Sequence, residues 1–361
     1  MFLILDRYLL KNFLLTLIFT ILALCMIFVL VNLLESLDGF LDSNAGFLVI
    51  VKYYLYFLPE IIKMMLPIAV LSSILFSVGK LSSNNEITAM KTGSMSLYRI
   101  MLPFIIVTLA ISFFMLYFNG WLVPNANSKK FEIERIYLKR SASIKNLTHL
   151  YFRDTPSRNV YMMNYEPAEK KGINIYIDEF NPGNKVEIIK RIEAQQISWD
   201  DNDNSWVLKK GFIRNIIGDI VVLQRFDSLH YKLETSNQQI KELKKTTDEM
   251  TFDELKSVID LQIRSGKDVR KQLIEYYGNY AFPFASIIVV LFAVPFSSIR
   301  NKSGVAVQIA AAMIISFVYL VFLKVSQTIG FSLNINPIIT GWSSNVIFLI
   351  FGIFNLLKTK T

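Results

Sequence analysis

NFLLTLIFTILALCMIFVLVNLL, residues 12–34, is a run of 23 positions without a formal charge, longer than the ~20 residues an α-helix needs to cross the hydrocarbon core of a bilayer. Arg7 and Lys11 precede it, as in a secretory signal. The run far exceeds the apolar region of such a signal, however, and it is followed by Glu35-Ser-Leu-Asp38 instead of a small-residue cleavage site. It reads as a first transmembrane helix. Further charge-free runs at 64–79, 100–128, 276–299, 303–323 and 325–357 bring the expected number of spans to six. The composition agrees: 53% of the 361 residues are hydrophobic, only 19% are charged, and the mean hydropathy is +0.40. A wholly soluble protein is excluded.

The short second run is extended by the aromatic approach Tyr53-Tyr-Leu-Tyr-Phe-Leu58, so that span is expected to start in the interface and to kink near Pro67. The third is expected over 100–122, leaving the bilayer at Trp121 and Pro124. The last three are expected at 276–295, 303–323 and 337–357.

Composition changes abruptly between 123 and 274, where 26 Lys/Arg and 22 Asp/Glu occur with no membrane-length apolar run. Alternating segments at 159–164, 173–180, 186–199, 206–215 and 220–233 are separated by turn residues such as Asn181-Pro-Gly-Asn184 and Gly218-Asp219. They predict an all-β, jelly-roll-like domain whose inner face carries Val160, Ile175, Ile177, Ile188, Ile197, Val207 and Val221. Residues 251–266 return to a helical period, with a capping box at Thr251 and Glu254. The chain is therefore expected to divide into three spans (1–122), a soluble insert (123–274) and three more spans (275–361).

Six spans place both termini on one side. Nine basic residues (Arg7, Lys11, Lys80, Lys91, Arg99, Arg300, Lys302, Lys358 and Lys360) fall in the segments on that side, against Lys52, Lys63 and Lys324 in the short loops opposite. The asymmetry predicts cytoplasmic termini and an insert on the outer side. It also accounts for much of the net charge of +9, and the remainder is dispersed among acidic residues, which argues against a nucleic-acid partner.

Catalytic signatures are missing. The sequence contains no phosphate-cradling loop, no G-x-S-x-G and no H-E-x-x-H, and His149, His230 and Cys25 are too few for a metal or redox centre. No enzyme activity, metal or bound cofactor is expected. The informative segment is Asn85-Glu-Ile-Thr-Ala-Met-Lys-Thr-Gly93, between the second and third spans. Ser83 or Asn84 is placed to cap a short helix that bears Glu86 near its positive end, and Gly93 is placed to end it. Such a helix across the cytoplasmic face suits the receipt of force from a motor subunit; a merely solvated loop is the other reading.

That segment, together with Leu5-Asp-Arg-Tyr8, Leu66-Pro-Ile-Ala-Val70, Gly79-Lys-Leu81, Gly120-Trp-Leu-Val-Pro124, Phe282-Pro283, Val294-Pro-Phe296, Asn336-Pro337, Gly341-Trp342 and Asn345, resembles the lipopolysaccharide export permeases of the LptF/LptG type, with Leu5-Asp-Arg-Tyr8 and Gly120-Trp-Leu-Val-Pro124 closer to LptG. The resemblance implies a non-enzymatic half-transporter. It would pair with a homologous six-helix subunit of the LptF type and be driven by a cytoplasmic ATPase dimer of the LptB type, where ATP is consumed. It would pass lipopolysaccharide from the inner membrane to periplasmic jelly-roll partners of the LptC and LptA type. The resemblance further implies that Glu86, with Met90 and Gly93 beside it, couples to the ATPase.

Members of the LptG type carry lysines at and beyond the outer end of the first span, where this chain has Asn32, Glu35 and Asp38. Asn32, Lys52, Lys63 and Lys324, with Ile177 and Ile197 in the insert, are accordingly the candidates for lipid contact. An exporter of another lipid or of lipoprotein, and a membrane-anchored binding or scaffold module, are the alternative readings; lipoprotein exporters usually place their large outer domain after the first span.

Overall fold

The computed structural model describes residues 4–138, 147–166, 169–181, 187–201, 203–218, 220–243, 245–298 and 304–358. The chain forms two compact units, one of Met1–Ile133 with Leu273–Thr361 and one of Glu134–Gln272.

The first unit is helical. Among the described residues, six helices are long and apolar enough to cross a membrane. Helix α1 is Ile4–Asp42 and α2 is Phe47–Ser83; the short α3, Glu86–Thr92, leads to α4, Leu97–Tyr117. The helix of the third span does not stop at Pro124. A π-turn over Phe118–Leu122 shifts the ladder so that the Val123 N–H donates to Phe118 O, and α5, Val123–Ile133, continues the helix. Proline lacks only an N–H that a shifted ladder no longer needs, so Pro124 is accommodated just inside α5.

The axis of this unit is α2, with 67% of its most apolar window buried against 11% for α1. Ala69, Val70, Leu71, Ile74 and Val78 have no exposed surface, and Leu9, Phe13 and Leu17 of α1 join Phe104 of α4 around them. Ser73 and Ser77 enter this apolar interior by returning their hydroxyl protons to Ala69 O and Ser73 O, the usual way for a hydroxyl to lie buried in a helix. The rest of α1 leaves Phe19, Leu22, Met26 and Leu34 exposed, as a lipid-facing surface requires.

The fourth span is two helices, α8 (Arg270–Ala281) and α9 (Ala285–Ser298), joined by a tight turn at Phe282–Phe284. Pro283 cannot donate to Asn279 O, so the side chain of Asn119 does, at 2.6 Å. Ala281 O, at the entry to this turn, also accepts from Asn345 Nδ2 at 2.5 Å, and Ser112 donates to Pro283 O at 2.9 Å. Helices α10 (Gly304–Ser332) and α11 (Pro337–Lys358) complete the unit. The α1–α2 and α10–α11 hairpins close identically: Asn44 and Asn334 take positive φ, and the next N–H donates five residues back, to Phe40 O and Gly330 O.

The second unit is one antiparallel six-stranded sheet in sequence order: β1 (Leu147–Thr155), β2 (Arg158–Glu166), β3 (Lys171–Phe180), β4 (Ile188–Asp200), β5 (Ser205–Ile217) and β6 (Ile220–Tyr231). The sequence reading missed β1, where Tyr151 and His149 blur the alternation of Leu150 and Phe152. The ladders step over one residue in every strand: His149, Met163, Asn174, Gln195, Lys210 and Asp227 lie between successive register pairs. His149, Asn174 and Lys210, in alternate strands, have φ of 53°, 50° and 52°.

Along this row the inward pleat reverses phase. Val160 and Met162 are buried on one side of it and Tyr165 on the other; likewise Ile192 and Ala194, then Ile197. An uncreased strand would turn Met162 and Tyr165 to opposite faces; the crease brings both to the core. Gly211 sits beside it because a Cβ there would lie 2.1 Å from Glu193 O. The phase reversal corrects part of the expected inner face. Val160, Ile175, Ile177 and Ile197 are buried, but Val207, between buried Trp206 and Leu208, and Ile188 are half-buried, and Val221 on β6 is 58% exposed.

The helical tail of this unit comprises α6 (Asn237–Glu242) and α7 (Phe252–Arg264). The capping box at Thr251 and Glu254 is formed. Of the apolar face that the helical period predicts, Phe252, Leu255, Val258 and Ile259 are buried, but Ile263 is 51% exposed and Leu261 is buried in its place.

Candidate functional site

Helix α3 is held between two residues of positive φ, Asn85 at 61° and Ser94 at 63°. Its start is not built as the sequence suggested, whereas Gly93 stands at its end, as expected. Ser83 turns its hydroxyl back to Lys80 O, and Asn85, which ends α2 with its N–H on Ser82 O, is also the residue before the first turn of α3. At the other end Gly93 keeps φ −76°, and the left-handed position is Ser94: its N–H reaches Lys91 O, and the Met95 N–H reaches Met90 O. This pair of bonds is the glycine-type helix stop carried one residue later. A seven-residue helix has little stability of its own, so its place is fixed by packing. Ile87 is fully buried in the core of the bundle, and Met90 and Met95 pack against the same core. Thr88, Ala89, Thr92 and Gly93 face outward, a smooth surface of small side chains.

Glu86 stands half-buried at the start of α3. Its Oε2 accepts from Tyr8 Oη at 3.0 Å and its Oε1 from Asn84 Nδ2 at 3.3 Å. Beside it a cleft of about 180 Å³ is lined by Tyr8, Asn12, Thr16, Phe76, Lys80 and Glu86, among others. Two residues before Tyr8, Asp6 of α1 accepts on its two carboxylate oxygens from Nη1 and Nη2 of Arg99 of α4, at 2.8 and 2.7 Å. Asp6 is 3% exposed. Sequence reasoning quoted Leu5-Asp-Arg-Tyr8 as a motif without giving Asp6 and Tyr8 a partner; the available signal was an aspartate in the first turn of a helix that is otherwise apolar.

The candidates for lipid contact fall into three groups. Asn32 belongs to the bundle: its Oδ1 accepts from Ser36, Tyr53 and Tyr54, each at 3.4 Å. Lys63 is half-buried and donates to Asn279 Oδ1 at 3.2 Å. Lys52 and Lys324 are exposed. Ile177 and Ile197 have no exposed surface and lie in the core of the sheet unit.

Sequence reasoning counted Lys130 with the soluble insert; it belongs instead to the helical unit. Buried to 5%, it contacts Glu60 Oε2 at 2.5 Å, with the rings of Phe131 and Phe57 at 4.4 and 4.9 Å. A buried ammonium requires such a counter-ion. Among the described residues no group of three or more His, Cys, Asp or Glu is arranged to hold a metal.

The profile of the lipopolysaccharide export system permeases LptF/LptG matches residues 7–358. The chain belongs to the LptF/LptG family. The match spans both units and all six long helices, so membership is a property of the whole architecture. Comparison with curated proteins gave no match. As a family member, the chain is a multi-pass membrane protein of lipopolysaccharide transport, and the Asn345, Pro283 and Gly120 motifs acquire a structural meaning within it: they make and repair the breaks in the third and fourth spans.

Proposed function

We propose that the chain is the permease subunit of an ATP-driven lipopolysaccharide exporter in the inner membrane, with cytoplasmic termini and α3, and with the sheet unit in the periplasm. In this reading it pairs with a homologous six-helix subunit, α3 receives a dimeric cytoplasmic ATPase that consumes the ATP, and lipopolysaccharide leaves the outer leaflet for periplasmic jelly-roll proteins. The observation that carries the reading is the family match over residues 7–358, joined by a short helix anchored through Ile87 with an outward surface of small side chains.

The energetics point the same way. Each methylene drawn from the bilayer into water costs about 0.8 kcal/mol, so a multi-acyl lipid needs both an energy source and a sheltered route. The first would come from the partner, the second from the sheet unit. Lys52 and Lys324 are the exposed candidates for headgroup phosphates in this scheme. Leu5-Asp-Arg-Tyr8 and Gly120-Trp-Leu-Val-Pro124 favour an LptG-type identity over LptF.

Co-purification tests the reading. The wild-type chain is expected to bring down a cytoplasmic ATPase and a second six-helix homologue, and Glu86→Lys to remain in the membrane while losing at least tenfold of the bound ATPase. Undiminished association and lipid release in Glu86→Lys would remove Glu86 from the mechanism. Photo-crosslinkers at Ile177 or Ile197 are expected to capture lipopolysaccharide only with ATP, because both positions are buried in the core of the sheet unit.

A further inference from the structure

Helix α3 and the first turn of α4 are tied to the same short stretch of α1, by bonds of different character. Asp6 and Tyr8 are two residues apart, so they leave α1 in different directions. Tyr8 reaches Glu86 at the start of α3, and Asp6 reaches Arg99 beyond its end. The backbone N–H of Arg99 also donates to Ser96 Oγ, the cap of α4, so the guanidinium that holds Asp6 springs from a fixed first turn. The whole 84–99 connection is therefore pinned at both flanks to one helix.

The Asp6 end is obligatory. Its carboxylate is withdrawn from water next to Leu9 and Phe13, which are themselves buried, and a carboxylate so placed is tolerated only with a matched donor pair. The Tyr8 end is optional: a single neutral donor at 42% exposure, which Glu86 can surrender to a cation without exposing a buried charge. Helix α1 then runs unbroken for 39 residues, roughly 60 Å at the usual rise. A helix of that length moves as a rod, so displacement at Asp6 is carried to its far end.

We propose that Asp6 and Tyr8 are positioning residues that fasten α3 to α1, Asp6–Arg99 as a permanent pin and Tyr8–Glu86 as a releasable one, so that movement of α3 is delivered along α1. The delivery of force rests on the reading of α3 as the ATPase-docking element; the fastening does not.

The two parts are tested separately. In the full chain in lipid nanodiscs, amide hydrogen exchange across residues 84–99 is expected to accelerate at least tenfold in Asp6→Asn and two- to threefold in Tyr8→Phe, with the α8–α9 segment unchanged. The exchanged pair Asp6→Arg/Arg99→Asp is expected to restore most of the protection. Unchanged exchange over 84–99 in both single variants overturns the fastening. In the assembled transporter in proteoliposomes, Asp6→Asn is expected to keep ATP hydrolysis within twofold while lipopolysaccharide released per ATP falls fivefold or more. A parallel fall of hydrolysis and release, at an unchanged ratio, overturns the delivery of force. If the wild-type chain retains no ATPase, the docking reading and the delivery of force fail together, and the exchange result still decides the fastening.

Discussion

Each of the two units interrupts a regular element, and the repairs differ with the medium. In the helical unit the fourth span breaks at Pro283, and the carbonyls of Asn279, Ala281 and Pro283 accept hydrogen bonds from Asn119, Asn345 and Ser112, each on another helix. In the sheet unit a crease crosses all six strands, and residues of positive φ carry it in alternate strands. Here the repair is local: the backbone bends at His149, Asn174 and Lys210, and Gly211 leaves space for the neighbouring strand. Without water in a bilayer core, a freed carbonyl must find a protein donor, so a break in a span commits side chains far away in sequence. At the surface of a soluble sheet, water serves unpaired groups, and steric space is what limits the fold.

Three substitutions sharpen this contrast. The largest effect is expected at the crease: in Gly211→Ala the added methyl meets a backbone oxygen and the ring of Phe226 at 2.5 Å, neither able to withdraw cheaply. More than ~3 kcal/mol should be lost, read as trypsin sensitivity of the sheet unit and loss of the near-ultraviolet signal of buried Trp206; a protease-resistant sheet unit with its signal intact would break the steric account.

Next is Asn345→Leu. Asn345 accepts from Tyr319 at 2.7 Å while donating to Ala281 O, so an apolar replacement strands the buried Tyr319 hydroxyl and removes one of the donors to Ala281 O, and should cost about 2–3 kcal/mol, measured by thermal unfolding in detergent. The smallest effect is expected at Lys210. Lys210→Gly should change stability by less than ~1 kcal/mol, since relief of positive φ offsets the added chain entropy. Lys210→Val should cost about 1–2 kcal/mol, because a β-branched side chain resists that conformation. Equal behaviour of the two variants would mean the crease does not depend on φ at this position.

How far the fold and the candidate site could be read follows from the range of the forces involved. The 12–34 run, the capping box at Thr251 and Glu254 and most of the strands were legible, because length, local periodicity and neighbouring side chains specify them. The end of the third span was not: whether Pro124 stops a helix depends on a π-turn whose register is set by packing. The pleat at Val207 was misread for a related reason, since the left-handed Lys210 in the same strand reverses the phase. At the candidate site, Glu86 was singled out from its place near the start of a short helix, but Asp6 and Arg99, 93 residues apart in sequence, bear no local mark of each other.

The sequence by itself determined that this chain enters a membrane, that a polar insert of strands divides its helices, and to which family it belongs, because hydropathy and motif order are properties of the chain. Only the tertiary structure decided which charges are paired, which carbonyls are repaired and which face of each strand is inside. Those outcomes depend on burial, and burial exists only once distant segments have packed and excluded solvent.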